Sequence, residues 1–252
     1  MAFFGKDEAK TAARLDAERL PRHVAVIMDG NGRWAKKRGM PRSIGHKAGV
    51  EALREVIRCS DELGMEALTI YAFSCENWKR SAEEVGALMG LLLEYFTREL
   101  DELHRKNVRI RILGDIDGMP AGLEKQQRAL HAAVARTREN TGLQLNIALN
   151  YGGQQEIVRA AKNLASMAAR GEIDPADIDG DAFAAQLYTA GLPQVDFLIR
   201  TSGELRLSNF LLYQLAYAEF YVTDTLWPDF DRRAYEEALT AYAKRNRRFG
   251  GV

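Results

Sequence analysis

The chain has 252 residues, of which 46% are hydrophobic, so it can form one large α/β domain or two small ones around a substantial core. Its 35 basic residues balance its 35 acidic residues, so net charge does not indicate nucleic-acid binding, and any anion site must come from local clustering. Two cysteines without metal-ligand spacing, a charged N-terminus and no long apolar run predict a cytoplasmic protein without a transmembrane segment.

Residues 1–20 are rich in alanine and charge, and they predict a helical or partly ordered arm that ends at Pro21. The remaining residues, 21–252, contain no internal repeat and no linker rich in glycine, proline or serine. We therefore expect a single domain after the arm.

The first predicted strand, residues 24–28, is apolar and stops at Asp29, which is followed by two glycines and a basic, helix-compatible stretch. Gly30 and Gly32 allow a ligand to approach bare amides, so this junction predicts a phosphate-binding loop. Asp29 beside a phosphate suggests a bridging divalent cation, most simply Mg²⁺. The alternative is a β-hairpin, but no alternating partner strand follows.

Arg42 and His46 flank the start of a predicted helix that closes at Gly64. A second strand, residues 67–73, again ends in polar residues, and a long helix is predicted over residues 81–105. That helix is apolar on more faces than packing on a sheet requires. It either is fully buried in the core, is covered by another chain, or lines an internal cavity.

Further strands are predicted at residues 108–113, 143–150, 195–199 and 220–222, with helices at residues 123–140 and 154–170 and a final helix capped by Asp231. Strands that alternate with helices predict an α/β fold with a central, mainly parallel six-stranded sheet flanked by helices. Arg200, Arg206 and Ser208 follow the fifth strand, and the planar fork of arginine suits phosphate oxygens. The acidic connector at residues 172–181 lacks the glycine and glutamate that a calcium loop needs.

The chain contains no nucleotide P-loop, no complete dinucleotide fingerprint, no His-Glu-x-x-His and no Gly-x-Ser-x-Gly motif. What remains is a glycine loop with an acid, several arginines and an excess of apolar surface. This combination indicates a site for a diphosphate attached to an apolar chain.

The sequence resembles the cis-prenyltransferases over nearly all of the chain after residue 20. The matching stretches, in family order, are residues 23–35 (HVAVIMDGNGRWA), 45–49 (GHKAG), 71–80 (YAFSCENWKR), 145–153 (LNIALNYGG), 199–210 (IRTSGELRLSNF) and 216–230 (AYAEFYVTDTLWPDF). No Asp-Asp-x-x-Asp motif of the unrelated trans-prenyltransferases is present.

The resemblance implies repeated condensation of isopentenyl diphosphate onto farnesyl diphosphate with cis geometry, giving a long polyprenyl diphosphate of undecaprenyl length for cell-wall glycan synthesis. It also implies Mg²⁺, a homodimer, an apolar tunnel for the growing chain and a location that is cytoplasmic or peripheral at the inner membrane face. Other product lengths, or a non-catalytic partner subunit, are the alternatives.

The resemblance also implies roles for individual residues. The allylic diphosphate would be held by Gly30, Asn31, Gly32, Arg33, Trp34, Arg42 and His46, and isopentenyl diphosphate by Arg200, Arg206, Leu207 and Ser208. A mobile loop would supply Ser74, Cys75, Glu76, Trp78 and Arg80, with Asn77 as candidate proton acceptor. Mg²⁺ would be positioned by Asp29 and Glu219, and the tunnel lined by Leu88, Leu92 and Phe96 with Leu143 at its floor.

Overall fold

The computed structural model describes residues 19–245. The predicted N-terminal arm therefore lies almost entirely outside the described residues. Within residues 19–245, no helix is both long enough and apolar enough to cross a bilayer.

Six parallel strands form one sheet, as the sequence predicts. They are β1 (His23–Ile27), β2 (Ala67–Ser74), β3 (Arg109–Leu113), β4 (Gln144–Tyr151), β5 (Phe197–Arg200) and β6 (Glu219–Val222), in the spatial order β3-β4-β2-β1-β5-β6. From β1 the chain winds first towards β2 and later returns to β5 on the other side. The sheet thus reverses its winding between β1 and β5, which is where open α/β sheets place their ligands.

Seven helices accompany the sheet in the described part of the chain. They are α1 (Asn31–Lys37), α2 (Arg42–Glu62), α3 (Ala82–Arg105), α4 (Glu124–Thr137), α5 (Gly153–Ala169), α6 (Gly180–Ala184) and α7 (Arg232–Ala243). Ser81 caps α3 by accepting the Glu84 N–H, and Asp231 caps α7 as predicted. In the acidic connector, Asp179 serves as a cap for α6, which gives that carboxylate a structural use.

The two faces of the sheet are buried by different parts of the chain because strand side chains alternate between them. Val24, Val26 and Ile70 face a large cluster that includes residues of α2, α3, α4 and α7. Ala25 and Leu198 face a smaller cluster that contains Tyr151, Phe210, Leu211 and Leu215. We call these the first face and the second face.

Candidate active site

A cavity of about 480 Å³ lies at the carboxyl edge of the sheet and extends along its first face between α2 and α3. One end is polar and is lined by Asp29, Asn31, Arg42, His46, Ser74, Asn77, Arg80, Arg200, Arg206 and Ser208. The other end is apolar and is lined by Leu53, Ile70, Phe73, Leu88, Leu91, Leu92, Tyr95, Phe96 and Ile147. The sequence leaves three explanations for the surplus apolar surface of α3. In the structure this surface lines an internal cavity.

Asp29 lies two residues after the end of β1. Its carboxylate connects the loop after β1 with Arg200 at the end of β5, the two strands between which the winding of the sheet reverses. Its Oδ1 accepts the Gly30 N–H at 2.7 Å, and its Oδ2 accepts from Arg200 Nη2 at 3.1 Å. Gly30 has a φ of +109°, and a Cβ there would lie 3.0 Å from a Leu226 side-chain carbon, so glycine is required for this turn. The hairpin alternative is wrong, because α1 follows directly.

Two further glycines, absent from the predicted site residues, allow α2 to approach the β1 loop. A Cβ at Gly45 would lie 2.1 Å from the Asn31 carbonyl oxygen, and one at Gly49 would lie 2.3 Å from Asn31 Oδ1. Asn31 Oδ1 has no hydrogen-bond partner among the described residues, although Asn31 lines the cavity. The two glycines in residues 45–49 thus have a packing reason that sequence periodicity does not reveal.

Arg33 and Trp34 on α1 are not part of the cavity lining, and they tie α1 to neighbouring loops. Arg33 Nη2 also lies 3.5 Å from Asp29 Oδ1, which does line the cavity. Arg33 Nη1 donates to the Ser202 carbonyl at 3.1 Å, and its Nη2 lies 3.0 Å from the Glu204 carboxylate. Trp34 Nε1 donates to Asp229 Oδ1 at 2.6 Å. Gly30 and Gly32 also border the cavity without being part of its lining.

Glu84 is a residue of the site that sequence reasoning missed. Its carboxylate lies 3.3 Å from Arg42 Nε and 2.7 Å from Arg80 Nη1, so it holds two cationic side chains at the mouth of the cavity. Burial, together with Arg42 and Arg80, lowers the pKa of His46 to about 4. His46 is therefore neutral near pH 7 and acts there through its hydrogen-bonding nitrogens, of which Nε2 has no partner among the described residues.

Arg200 is the buried last residue of β5, and it holds the loop that follows. Its Nη1 donates to Ser208 Oγ at 3.0 Å and to the carbonyl of Arg206, while its Nη2 contacts Asp29. Arg206 is exposed and pairs with Glu204. Leu207 packs against the cluster of the second face and is not part of the cavity lining.

The same loop contains four residues other than glycine in the left-handed region: Ser202, Ser208, Asn209 and Leu211 have φ of +72°, +51°, +64° and +44°. Such backbone costs about 1–2 kcal/mol per residue. It is held by surrounding contacts: the Phe210 ring stacks on Tyr71 at 4.5 Å, and the Tyr71 hydroxyl donates to the Ser208 carbonyl at 3.2 Å.

The predicted mobile loop contains a short 3₁₀ turn, Cys75–Lys79, in this structure. Ser74, Asn77 and Arg80 line the cavity, whereas Cys75, Glu76 and Trp78 do not. Asn77 Oδ1 already accepts the Ser74 N–H at 3.1 Å, and Trp78 Nε1 donates to Asn150 Oδ1 at 2.8 Å. Asn77 is thus a structural element of the turn, and its amide oxygen is engaged.

Glu219 lies far from Asp29 within one chain, and its assignment as a metal ligand stays a prediction. Glu219 begins β6 and is in register with Phe197, which is in register with Val24 at the start of β1. Asp29 lies five residues further on, roughly 16 Å along the strand direction. Glu219 instead pairs with Arg245 at 2.6 Å.

Leu88, Leu92 and Phe96 line the apolar end as predicted, but Leu143 does not line the cavity. Leu143 is buried just before β4, four residues and about 13 Å from Ile147, the β4 residue that does line it. Its assignment as the floor of a longer tunnel stays a prediction.

The cavity has a cationic end at the point where the winding of the parallel sheet reverses, and this end is continuous with an apolar one. Such a cavity is an enzyme-like site for an anionic head group on an apolar chain. The family described as "Putative undecaprenyl diphosphate synthase" matches residues 27–250. An isoprenyl transferase of Heliobacterium mobile is 54% identical over 98% of this chain and 94% of its own. A farnesyl-diphosphate-specific ditrans,polycis-undecaprenyl-diphosphate synthase of Pasteurella multocida is 49% identical over 94% of this chain and 98% of its own.

Among solved structures, lavandulyl diphosphate synthase of Lavandula x intermedia, in complex with dimethylallyl diphosphate, is 38% identical with a TM-score of 0.89, covering 93% of this chain and all of that one. A probable undecaprenyl diphosphate synthase of Campylobacter jejuni is 29% identical with a TM-score of 0.74 over 92% of this chain and 99% of its own. This chain belongs to the undecaprenyl diphosphate synthase family of cis-prenyltransferases.

Proposed function

We propose that this cis-prenyltransferase condenses isopentenyl diphosphate repeatedly onto farnesyl diphosphate and makes a polyprenyl diphosphate of undecaprenyl length. The observation that supports this most directly is the single cavity that is cationic at one end and apolar at the other. A diphosphate would occupy the polar end while its isoprenoid chain extends between α2 and α3. The name of the Pasteurella multocida relative specifies farnesyl diphosphate and undecaprenyl diphosphate.

In the proposed reaction the bond between the allylic carbon and its diphosphate oxygen breaks, and the double bond of isopentenyl diphosphate supplies the electrons of the new carbon–carbon bond. The displaced diphosphate gains charge beside Asn31, Arg42 and neutral His46, which are fixed before the reaction. Arg200, Arg206 and Ser208 hold the diphosphate of isopentenyl diphosphate. The apolar walls exclude water from the allylic cation.

A proton must leave the new chain to form the cis double bond. Because Asn77 Oδ1 already accepts the Ser74 N–H, we assign Asn77 to orienting the turn and not to taking the proton. A diphosphate oxygen at the polar end of the cavity is the acceptor that this geometry favours.

The residues present fit a Mg²⁺ ion held mainly by substrate. Mg²⁺ in such sites keeps several waters and is bound by one or two carboxylates plus phosphate oxygens. Asp29 offers one partly exposed carboxylate at the polar end, and within residues 19–245 no group of three His, Cys, Asp or Glu side chains could hold the ion alone. When bound there, Mg²⁺ supplies positive charge to the leaving diphosphate.

We propose that two copies associate through the outer edge of the sheet. Strand β6 pairs only with β5 among the described residues, and it exposes Phe220 (46%) and Val222 (37%). Tyr217, next to this edge, is 76% exposed. An exposed, apolar edge strand is a natural surface for contact with a second copy, and Arg245 already donates to the Phe220 carbonyl there. The enzyme would work in the cytoplasm or peripherally at the inner membrane face, where its apolar product partitions.

The test is to incubate the purified single chain with radiolabelled isopentenyl diphosphate, farnesyl diphosphate and Mg²⁺, and to separate dephosphorylated products by reversed-phase chromatography. We expect one dominant long cis-polyprenyl product. A different dominant length would identify a cis-prenyl synthase of another length. Absence of turnover under these conditions would contradict the proposed enzymatic activity. It would favour a non-catalytic subunit, although Asp29, Arg200 and Arg206 are all retained.

A further inference from the structure

One residue with no role predicted from the sequence, Asn209, lies between the two halves of the site. It directly follows Ser208, whose hydroxyl accepts from Arg200 and which lines the cavity. On its other side is the turn Cys75–Lys79, whose flanking residues Ser74 and Arg80 also line the cavity. Asn209 thus connects the proposed isopentenyl diphosphate loop with the turn.

Asn209 is held by four hydrogen bonds. Its Oδ1 accepts the Gln154 N–H at 2.8 Å, and its backbone carbonyl accepts the Gly153 N–H at 2.7 Å. Its Nδ2 donates to Glu76 Oε1 at 2.8 Å and to Gln155 Oε1 at 3.0 Å. The residue therefore fixes the start of α5, the loop after β5 and the turn relative to one another.

The packing around Asn209 leaves no room for a larger neighbour. A Cβ at Gly152 would lie 2.7 Å from Asn209 Nδ2 and 2.8 Å from Cys75 Sγ. A Cβ at Gly153 would lie 2.8 Å from a Leu212 side-chain carbon. The two consecutive glycines allow the turn, Asn209 and the start of α5 to meet at one point.

The hydrogen bond to Glu76 is also reflected in the charge of that carboxyl. Burial opposes its ionisation, but hydrogen bonds led by the one from Asn209 outweigh burial and lower the pKa of Glu76. The Glu76 carboxylate is thus an ionised acceptor, and bonds to an ionised acceptor are stronger than those between neutral groups.

We propose that Asn209 is a positioning residue that couples occupancy of the isopentenyl diphosphate site at Ser208 to the conformation of the Cys75–Lys79 turn. Asn209 directly follows Ser208 and is bonded to the turn through Glu76, so a shift of Ser208 towards a bound phosphate carries the Asn209 side chain and this hydrogen bond with it. The position of the turn then sets the positions of Ser74 and Arg80 at the polar end of the cavity. This inference rests on the proposed function, because it requires isopentenyl diphosphate at Ser208.

The principal variant is Asn209→Gly, which keeps the left-handed backbone without strain and removes only the side chain. We expect the KM for isopentenyl diphosphate to rise about tenfold and kcat to fall, with the KM for farnesyl diphosphate changed less than about threefold. The matched control is Asn107→Gly, since Asn107 is also left-handed at +60° and also bonds through its side chain, to Thr141, but lies at the amino edge of the sheet. It should leave all three constants unchanged.

A reversal of donor and acceptor separates positioning from general stability. Asn209→Asp keeps the acceptor for the Gln154 N–H but sets a carboxylate against Glu76, so it should be at least as impaired as Asn209→Gly. Combining it with Glu76→Gln restores a donor–acceptor pair, and we expect the double variant to recover most of the loss in KM. A double variant as impaired as Asn209→Asp alone would contradict the proposal.

Hydrogen exchange provides a readout that is independent of turnover. In the unmodified chain, isopentenyl diphosphate should slow amide exchange both at residues 206–208 and at residues 75–79. In Asn209→Gly the slowing at residues 206–208 should persist while that at residues 75–79 is lost. If both persist, Asn209 does not couple the two regions. If the unmodified chain shows neither slowing nor turnover, the proposed function fails and the coupling fails with it.

Discussion

The two loops that meet at Asp29 are built by different means. The loop after β1 reaches its conformation through one left-handed glycine, Gly30, and is pinned by close approach of α2 at Gly45 and Gly49. The loop after β5 uses left-handed serine, asparagine and leucine, held by the stacked Tyr71 and Phe210 rings. The first loop makes its turn without backbone strain because glycine allows it, whereas the second loop is strained and depends on the contacts of its surroundings to hold it.

Replacing Asp29 tests the point that both loops share. Asp29→Ala should reduce kcat about 10²-fold or more, because it removes the proposed Mg²⁺ ligand and the acceptor for Arg200 together. Steady-state kinetics with Mg²⁺ measure this, and Asp117→Ala, a change at an exposed surface carboxylate, is the control. Near-normal kcat in Asp29→Ala would remove Asp29 from the mechanism.

Two arginine variants test whether the two loops bind different substrates. Arg206 is exposed and contacts neither Asp29 nor the β1 loop, so Arg206→Ala should raise the KM for isopentenyl diphosphate about tenfold or more and spare farnesyl diphosphate. Arg200 is bonded to both Asp29 and Ser208, so Arg200→Ala should impair both substrates. Arg233→Ala, at an 86% exposed side chain, is the control. Equal weakening of both substrates by Arg206→Ala would show that the loops are not separate sites.

The lowered pKa of His46, beside the β1 loop, predicts how the stability of the protein depends on pH. Its folded pKa of about 4 is below the ordinary 6.5, so between these values the unfolded state binds a proton that the folded state does not. Stability is therefore lost as the pH falls from 6.5 towards 4, by about 2–3 kcal/mol for this group. Urea unfolding near neutral pH and near pH 4.5 should show a smaller loss for His46→Gln than for the unmodified chain. Equal losses would mean that His46 titrates normally.

A change at the apolar end should spare both loops. Leu92→Trp adds bulk to the cavity wall, so it should shorten the product while changing the rate of the first condensation by less than about threefold. Leu143→Ala should lengthen the product if Leu143 is the floor of a longer tunnel. Reversed-phase chromatography of dephosphorylated products measures both. Unchanged lengths in both variants would return these residues to an ordinary core role.

The sequence predicts the β1 loop well and the β5 loop poorly, for a physical reason. A glycine after a buried strand predicts a left-handed turn, and Gly30 is such a glycine. Ser208, Asn209 and Leu211 carry no such signal, because only the surrounding contacts force them into that region. The six strands and the parallel sheet follow from apolar periodicity alone and are confirmed.

Glu219 and Leu143 lie away from the cavity lining for a common reason. Glu219 is the first residue of β6 and Leu143 immediately precedes β4, so both lie at the amino edge, while the polar side chains of the cavity are found at the carboxyl edge. The sequence identifies each motif, but it does not show whether the motif lies at the amino end or the carboxyl end of its strand. Glu84 was missed because a glutamate in the first turn of a helix is ordinarily read as a favourable helix-end charge.

The size of the cavity has a mechanical consequence for the proposed elongation. About 480 Å³ lies within the range of a pocket that holds one small ligand, which suits the starting isoprenoid. If the growing chain reaches the packed side chains beyond the apolar end, each further addition has to separate α2 from α3, because packed interiors yield little to added methylenes. In that case the resistance of this helix pair to separation, as well as any single side chain, would contribute to the length at which elongation becomes slower than release.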